Sequence, residues 1–186
     1  MRELLQEFTD VQDSPVWSAI PWVEARWKPP SAGLFKINFD GAVFMDRSLV
    51  GLGIVIRDES GLIIVALSQK IPLPSSMELV EALVARHALI FAQEISIFKA
   101  KVEGDSLKVI QALNNPKPNR TQIGHIICDI QILGVGMQSC TFNHTRRGGN
   151  RLAHSLAKRA VLTADTDVWL KELPQDLVNV FQFDLS

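Results

Sequence analysis

The chain has 186 residues, of which 47% are hydrophobic and 21% are charged, and its formal net charge at pH 7 is −1. This composition predicts one folded domain with a packed core and about thirty further residues at an end, and it excludes a disordered or fibrous chain. Proteins dedicated to duplex binding usually carry a basic face, so the near-neutral charge predicts only modest affinity for nucleic acid.

Residues 1–30 are predicted to form an extended lead-in. They contain Trp17, Trp22 and Trp27, and they close on Pro29-Pro30, where a helix cannot continue. The first ten residues lack the basic start and apolar stretch of a secretory signal. The longest apolar runs are far shorter than the roughly 20 residues that cross a bilayer. We therefore expect an intracellular protein that does not enter a membrane, with nucleus and cytoplasm both open.

Three strand patterns follow in the chain. Apolar residues alternate with polar ones from Leu34 to Asp40, which predicts a half-buried strand that ends at Asp40. Gly51 to Arg57 is rich in β-branched residues, residues 58–61 have turn chemistry, and Leu62 to Ser68 resumes the strand pattern. Together these segments predict a three-stranded antiparallel meander.

Helical and strand patterns alternate in the rest of the chain. Met77 to Glu94 contains no Gly or Pro and has apolar residues at spacings of three and four, which predicts a long helix capped by Ser75 or Ser76. A short strand, Ala100 to Val102, leads to Asp105. The remaining predicted elements are helices at Leu107 to Leu113, Ile123 to Leu133 and Asn150 to Leu162, and a strand at Cys140 to His144.

These elements predict an α/β fold with a five-stranded mixed sheet, three strands antiparallel and then two parallel, flanked by helices. We place the domain at residues 31–165, after the lead-in at 1–30. Residues 166–186 are expected to form a C-terminal extension that packs on the domain or trails from it.

Two acids stand at predicted strand ends. Side chains that leave the carboxyl ends of neighbouring strands converge on one crevice, and this places Asp40 near Asp105. Two carboxylates repel each other unless a cation such as Mg²⁺ lies between them, and Glu81, one turn into the long helix, is a possible third ligand. The residues alone leave the alternative open that these aspartates cap turns or helices.

Several segments carry a family resemblance. Lys36-Ile-Asn-Phe-Asp40-Gly-Ala resembles the first-strand motif of type 1 ribonucleases H, especially the plant retroelement-related branch. Further segments resemble the later motifs of that branch, in order and at consistent spacing. They are Gly51 to Gly61, Glu81 to Leu89, Glu103-Gly-Asp105-Ser and Asn143 to Lys158.

The resemblance implies a ribonuclease H-like fold and a nuclease that hydrolyses the RNA strand of RNA–DNA hybrids. It implies two divalent ions, Mg²⁺ with Mn²⁺ possible, bound by Asp40, Glu81 and Asp105. Glu78 competes with Glu81 for this assignment, but the following Ala-Leu pair favours Glu81. His154 stands where the family has a fourth acid, which removes one negative charge and is expected to weaken the second metal site and the activity.

The resemblance also suggests further site residues. His144 aligns with a mobile-loop histidine that assists water or product handling, although a strand-end histidine bonded to backbone is the simpler explanation. Ser106 has the alternative role of a helix cap. The expected substrate-binding residues are Asn38, Gly41, Ser106, Arg147 and Asn150.

Two functional hypotheses remain. The first is the hybrid nuclease, acting as a monomer. The second is a nonenzymatic descendant that binds nucleic acid or protein, and the chain could also be a fragment of a retroelement polyprotein. Lys117 and Arg120 are the only basic residues between positions 114 and 122, so hybrid binding is expected to be weak and to depend on an unknown tethering partner. A basic cluster, Arg146, Arg147, Arg151, Lys158 and Arg159, either binds nucleic acid or forms a solvated face.

Overall fold

The computed structural model describes residues 25–115, 121–162 and 164–185, without the side chains of Met77 and Glu78. Trp17, Trp22, Lys117 and Arg120 therefore lie outside the described residues, as does the side chain of the alternative ligand Glu78. The strands are β1 (Phe35–Phe44), β2 (Leu49–Arg57), β3 (Ile63–Pro72), β4 (Lys99–Gly104), β5 (Ser139–His144) and β6 (Thr166–Leu170). The helices of at least seven residues are α1 (Met77–Glu94), α2 (Leu107–Leu113), α3 (Gln122–Val135), α4 (Arg151–Arg159) and α5 (Val178–Leu185).

The strands form one mixed sheet in the order β5-β4-β1-β2-β3-β6. The predicted antiparallel meander is β1-β2-β3, and β4 and β5 run parallel to β1. The α/β fold is thus confirmed, but the sheet has six strands rather than the predicted five. The added strand, β6, pairs antiparallel with β3 between Val65 and Gln69 and comes from the C-terminal extension.

The first strand is longer than predicted. Its pairing with β2 continues from Lys36 to Phe44, so Asp40 lies inside β1 rather than at its end. The pairing with β4, in contrast, stops at Asn38 and Glu103. Asp40 is therefore held by β2 on one side and lies, on the other side, just beyond the last residue paired with β4.

Helices cover both faces of the sheet. On one face, α1, α2 and α3 pack on the strands in the larger hydrophobic core, and on the other face α4 packs on β2. The approach of α4 requires Gly53, because a Cβ atom there would lie 2.0 Å from the carbonyl oxygen of Ala153. This close contact fixes how near α4 lies to β2. No helix in the described ranges is long and apolar enough to cross a membrane.

Both ends of the described chain are attached to β2. Arg57 at the end of β2 forms a 2.6 Å ion pair with Asp184 of α5, and both side chains are 1% exposed. The Trp27 ring lies against the same guanidinium, with 4.4 Å between the guanidinium carbon and the ring centroid. Breaking such a buried pair by removing one partner costs about 3–5 kcal/mol, so α5 is firmly anchored to the domain.

Candidate metal centre

The sheet register brings the three predicted acids together. The last paired residues of β1 and β4 are Asn38 and Glu103. Asp40 and Asp105 each lie two residues further along, so the two aspartates lie side by side. Glu81, in the second turn of α1, approaches from the helix layer. One carboxylate oxygen from each of the three side chains lies within 4.8 Å of the others. The geometry therefore agrees with the predicted carboxylate cluster.

Gly41 allows α1 to approach β1. A Cβ atom at this position would lie 2.7 Å from Val80 Cγ1 and 3.2 Å from Glu81 Oε1. The backbone N–H of Gly41 also donates a hydrogen bond to the Glu81 carboxylate. Gly41 thus positions Glu81, and its expected contact with substrate stays a prediction.

Burial and mutual repulsion make the cluster hard to ionise. Burial raises the pKa of Asp40 to about 6, and the Asp105 carboxylate adds to this shift while His154 and Arg147 oppose it. Burial raises the pKa of Glu81 to about 8, with further contributions from Asp40 and Asp105. A bound cation would favour the ionised form of all three acids.

The donor set fits a hard divalent cation. All three groups offer carboxylate oxygens, which are the ligands preferred by Mg²⁺ and Mn²⁺. Glu81 Oε2 is buried and has no hydrogen-bond partner among the described residues. A buried oxygen of this kind is costly unless it is paired, and a metal ion at the cluster would satisfy it.

His154 contacts the cluster through Asp40. It lies on α4, is 21% exposed, and its Nδ1 is 2.5 Å from Asp40 Oδ2. At a pH above its pKa of about 6, the Asp40 carboxylate is ionised and accepts this hydrogen bond. In this arrangement the imidazole holds one oxygen of Asp40.

Two exposed side chains contact Asp105. Arg147 Nη2 donates to Asp105 Oδ2 at 3.3 Å, and the Arg147 side chain is 68% exposed. His144, at the end of β5, donates from Nε2 to the backbone oxygen of Asp105 at 3.2 Å. The backbone contact considered as the simpler explanation of His144 is therefore present, while its role in the reaction stays a prediction.

Asn38 and Asn150 are buried and bonded to one another. Asn38 Nδ2 donates to Asn150 Oδ1 at 3.3 Å, and its Oδ1 accepts from Trp27 Nε1 at 2.9 Å. Asn150 Nδ2 donates to the backbone oxygen of Phe39 at 2.9 Å, directly before Asp40. Both asparagines thus position β1 and the start of α4. Their expected contact with substrate stays a prediction.

Ser106 caps α2, since its Oγ accepts a hydrogen bond from the Val109 N–H at 3.5 Å. Helix capping was the alternative role expected for Ser106, and its contact with a phosphate stays a prediction.

A buried ion pair that was not predicted lies beside the site. Lys36 Nζ lies 2.9 Å from Glu103 Oε1, and both side chains are almost fully buried. The strand pattern predicted a half-buried β1, but its polar face is covered as well. Because Glu103 also accepts from Asn38, this pair links β4 to the asparagine network. The motif Glu103-Gly-Asp105 was the only signal that pointed to Glu103.

Comparison with protein families gives a match over most of the domain. The sequence model of the reverse transcriptase-like family matches residues 38–160, which include all three acids and His154. The chain belongs to the reverse transcriptase-like family. The match ends before β6 and α5, so these two elements lie outside the matched residues. A comparison with curated proteins found no match.

Solved structures share the fold of this family member. RNase H1 from the archaeon Halobacterium salinarum aligns with a TM-score of 0.63 and 22% identity, over 69% of this chain and 98% of that one. LC11-RNase H1, isolated from compost by a metagenomic approach and solved in complex with an RNA/DNA hybrid, aligns with a TM-score of 0.60 and 19% identity, over 69% and 99%. The foamy viral protease-reverse transcriptase in complex with an RNA/DNA hybrid gives 0.53 and 19%, over 68% and 19%.

Proposed function

We propose that this chain is a metal-dependent endonuclease that hydrolyses the RNA strand of RNA–DNA hybrids. The observation that carries the proposal is the convergence of Asp40, Glu81 and Asp105 within 4.8 Å. The fold is shared with RNase H1 proteins, one of them solved with an RNA/DNA hybrid, and this supports the same substrate class.

Asp40, Glu81 and Asp105 would hold the Mg²⁺ ions. Bound in a pair, such ions lower the pKa of a water molecule and stabilise the leaving oxygen of an in-line phosphodiester displacement. The protein fixes the carboxylates for this role: β2 holds Asp40, α1 carries Glu81 over Gly41, and Asp105 follows β4 directly.

The exposed groups around Asp105 suit substrate handling. The Arg147 guanidinium is largely exposed and can donate to a phosphate oxygen while it stays near Asp105. The His144 imidazole lies at the exposed end of β5 and can accept and release a proton beside the cluster. We propose that Arg147 binds the scissile strand and that His144 assists proton transfer.

His154 makes the metal centre weaker than one with four acids. Replacing it by aspartate is expected to tighten Mg²⁺ binding about tenfold, because a fourth carboxylate in the cluster strengthens the attraction for the cation. Isothermal titration calorimetry with Mg²⁺ on the full chain measures this change directly. His154→Asn is the matched control, since it removes the imidazole without adding charge. Equal Mg²⁺ affinity of the two variants would contradict the role assigned to position 154.

Cleavage of a labelled hybrid tests the proposed function. The full chain is incubated with an RNA–DNA hybrid, double-stranded RNA or double-stranded DNA, in Mg²⁺ and separately in Mn²⁺. We expect cleavage of the RNA strand of the hybrid alone, and none by Asp105→Asn, which reports contaminating nuclease. Folded protein that cleaves no hybrid in either metal would refute the proposal.

A nonenzymatic nucleic-acid-binding module is the second candidate. It is favoured by the fact that two of the acids already contact basic side chains, since His154 contacts Asp40 and Arg147 contacts Asp105. Such contacts partly neutralise the cluster without metal. This candidate predicts hybrid binding that is independent of Mg²⁺ and is not accompanied by cleavage.

A further inference from the structure

A groove adjoins the metal centre on the α4 side of the sheet. It has a volume of 570 Å³ and lies between α4 and α5. Arg147, which precedes α4, and Arg151 and His154 of α4 line one side of it, and Asn179, Val180 and Phe183 of α5 line the other. A volume of this size is within the range of roughly 300–1,000 Å³ that is typical of small-molecule sites.

The groove is continuous with the acid cluster through two shared residues. His154 lines the groove and contacts Asp40, and Arg147 lines it and contacts Asp105. A nucleic-acid strand with one phosphodiester at the acids would therefore place its neighbouring nucleotides at the mouth of the groove.

The chemistry of the groove fits a polyanion with apolar parts. Two guanidinium groups line it, and none of the described lining residues is an acid. Asp184 of α5 is instead buried against Arg57, although the charge of Arg151 also acts on it. Phe183 provides an apolar ring, and the Arg151 guanidinium carbon lies 4.4 Å from its centroid. Arginine and aromatic groups together are suited to the phosphates and apolar parts of a nucleic-acid strand.

The far wall of the groove lies outside the residues that match the family. The helix α5 lies beyond residues 38–160, which match the family, and the buried Arg57–Asp184 pair holds it in place. We propose that the groove between α4 and α5 binds the nucleotides that flank the phosphodiester at the metal centre, so that the C-terminal extension is part of the substrate site. This proposal rests on the proposed function and extends it.

Two matched pairs of variants test the groove, each made in the full chain carrying Asp40→Asn so that the hybrid stays intact. Asn179→Asp and Gln182→Glu each add one negative charge to an exposed position of α5 without changing size, but only Asn179 lines the groove. Arg151→Gln and Lys158→Gln each remove one positive charge from α4, and only Arg151 lines the groove. The measurement is the affinity for a fluorescent RNA–DNA hybrid in Mg²⁺ as a function of salt.

Asn179→Asp is expected to weaken hybrid binding about fivefold, and Gln182→Glu less than about twofold, because a charge inside the groove is less screened. Arg151→Gln is expected to lower the slope of log K against log salt by about one relative to Lys158→Gln. Equal effects within both pairs, with cleavage by the chain that retains Asp40, would overturn the groove proposal alone. If the Asp40→Asn chain does not bind the hybrid and the unmutated chain does not cleave it, the proposed function is overturned as well.

Discussion

Replacing Asp40 by asparagine is expected to lower the rate of hybrid cleavage in Mg²⁺ roughly a thousandfold or more, which corresponds to a loss of about 4 kcal/mol of transition-state stabilisation. Asp40 is the most buried acid of the cluster and lies beside both other carboxylates. Asparagine has nearly the same shape, and its oxygen can still accept the hydrogen bond from His154. The substitution therefore removes the charge needed to hold Mg²⁺ while the fold is kept.

The matched control for this prediction is Asp46→Asn. Asp46 lies six residues later, just after β1, and its side chain is 78% exposed. We expect this variant to cleave the hybrid at the unmutated rate. Cleavage by Asp40→Asn within about tenfold of that rate, in protein with an unchanged circular dichroism spectrum, would show that Asp40 is not a metal ligand in the reaction.

Strong local signals made much of the fold predictable. The long helix α1 has apolar residues at helical spacing, and the β2-β3 hairpin has β-branched runs around a turn. Asp105 directly follows a short apolar strand, so its place at the carboxyl ends of the parallel strands followed from their parallel order. These features depend on short stretches of sequence and not on distant partners.

The polar side of β1 was not predictable in the same way. Alternation of polar and apolar residues has the same period whether the polar side faces water or buried partners. Lys36 and Asn38 are buried because Glu103 and Asn150, which are distant in sequence, supply an ion pair and a hydrogen bond. The contact of His154 with Asp40 likewise depends on where α4 lies over the sheet, and this position is set by the packing of α4 on β2.

The sixth strand was missed for a different reason. It has only five residues, it lies at the edge of the sheet, and its Val168 and Leu170 are exposed. A short edge strand has little need of buried apolar residues on either face, so its hydrophobic pattern is weak. Its position is set by pairing with β3, a long-range contact that no local pattern reports.

Without metal, the stability of the folded protein is expected to fall as the pH rises from about 5 to about 8, by on the order of 3 kcal/mol. Glu81 has a pKa raised from 4.5 to about 8, and Asp40 has one raised from 3.8 to about 6, in both cases mainly by burial. Between the unfolded and folded values, the folded protein holds protons that the unfolded chain has released. Raising the pH through this window therefore favours unfolding, and the loss is complete only above the folded pKa of Glu81.

Urea denaturation at several pH values, in EDTA and in Mg²⁺, measures this dependence, and Glu81→Gln identifies its source. Glutamine cannot ionise, so the variant is expected to be more stable than the unmutated chain at pH 8 and nearly equal to it at pH 5. Glu94→Gln, an exposed position at the end of the same helix, should leave the pH dependence unchanged. Saturating Mg²⁺ should flatten the curve of the unmutated chain, because the ion binds the carboxylates only when they have lost their protons. An equally steep curve for Glu81→Gln would assign the pH dependence to other groups and remove the main electrostatic argument for a cation at this cluster.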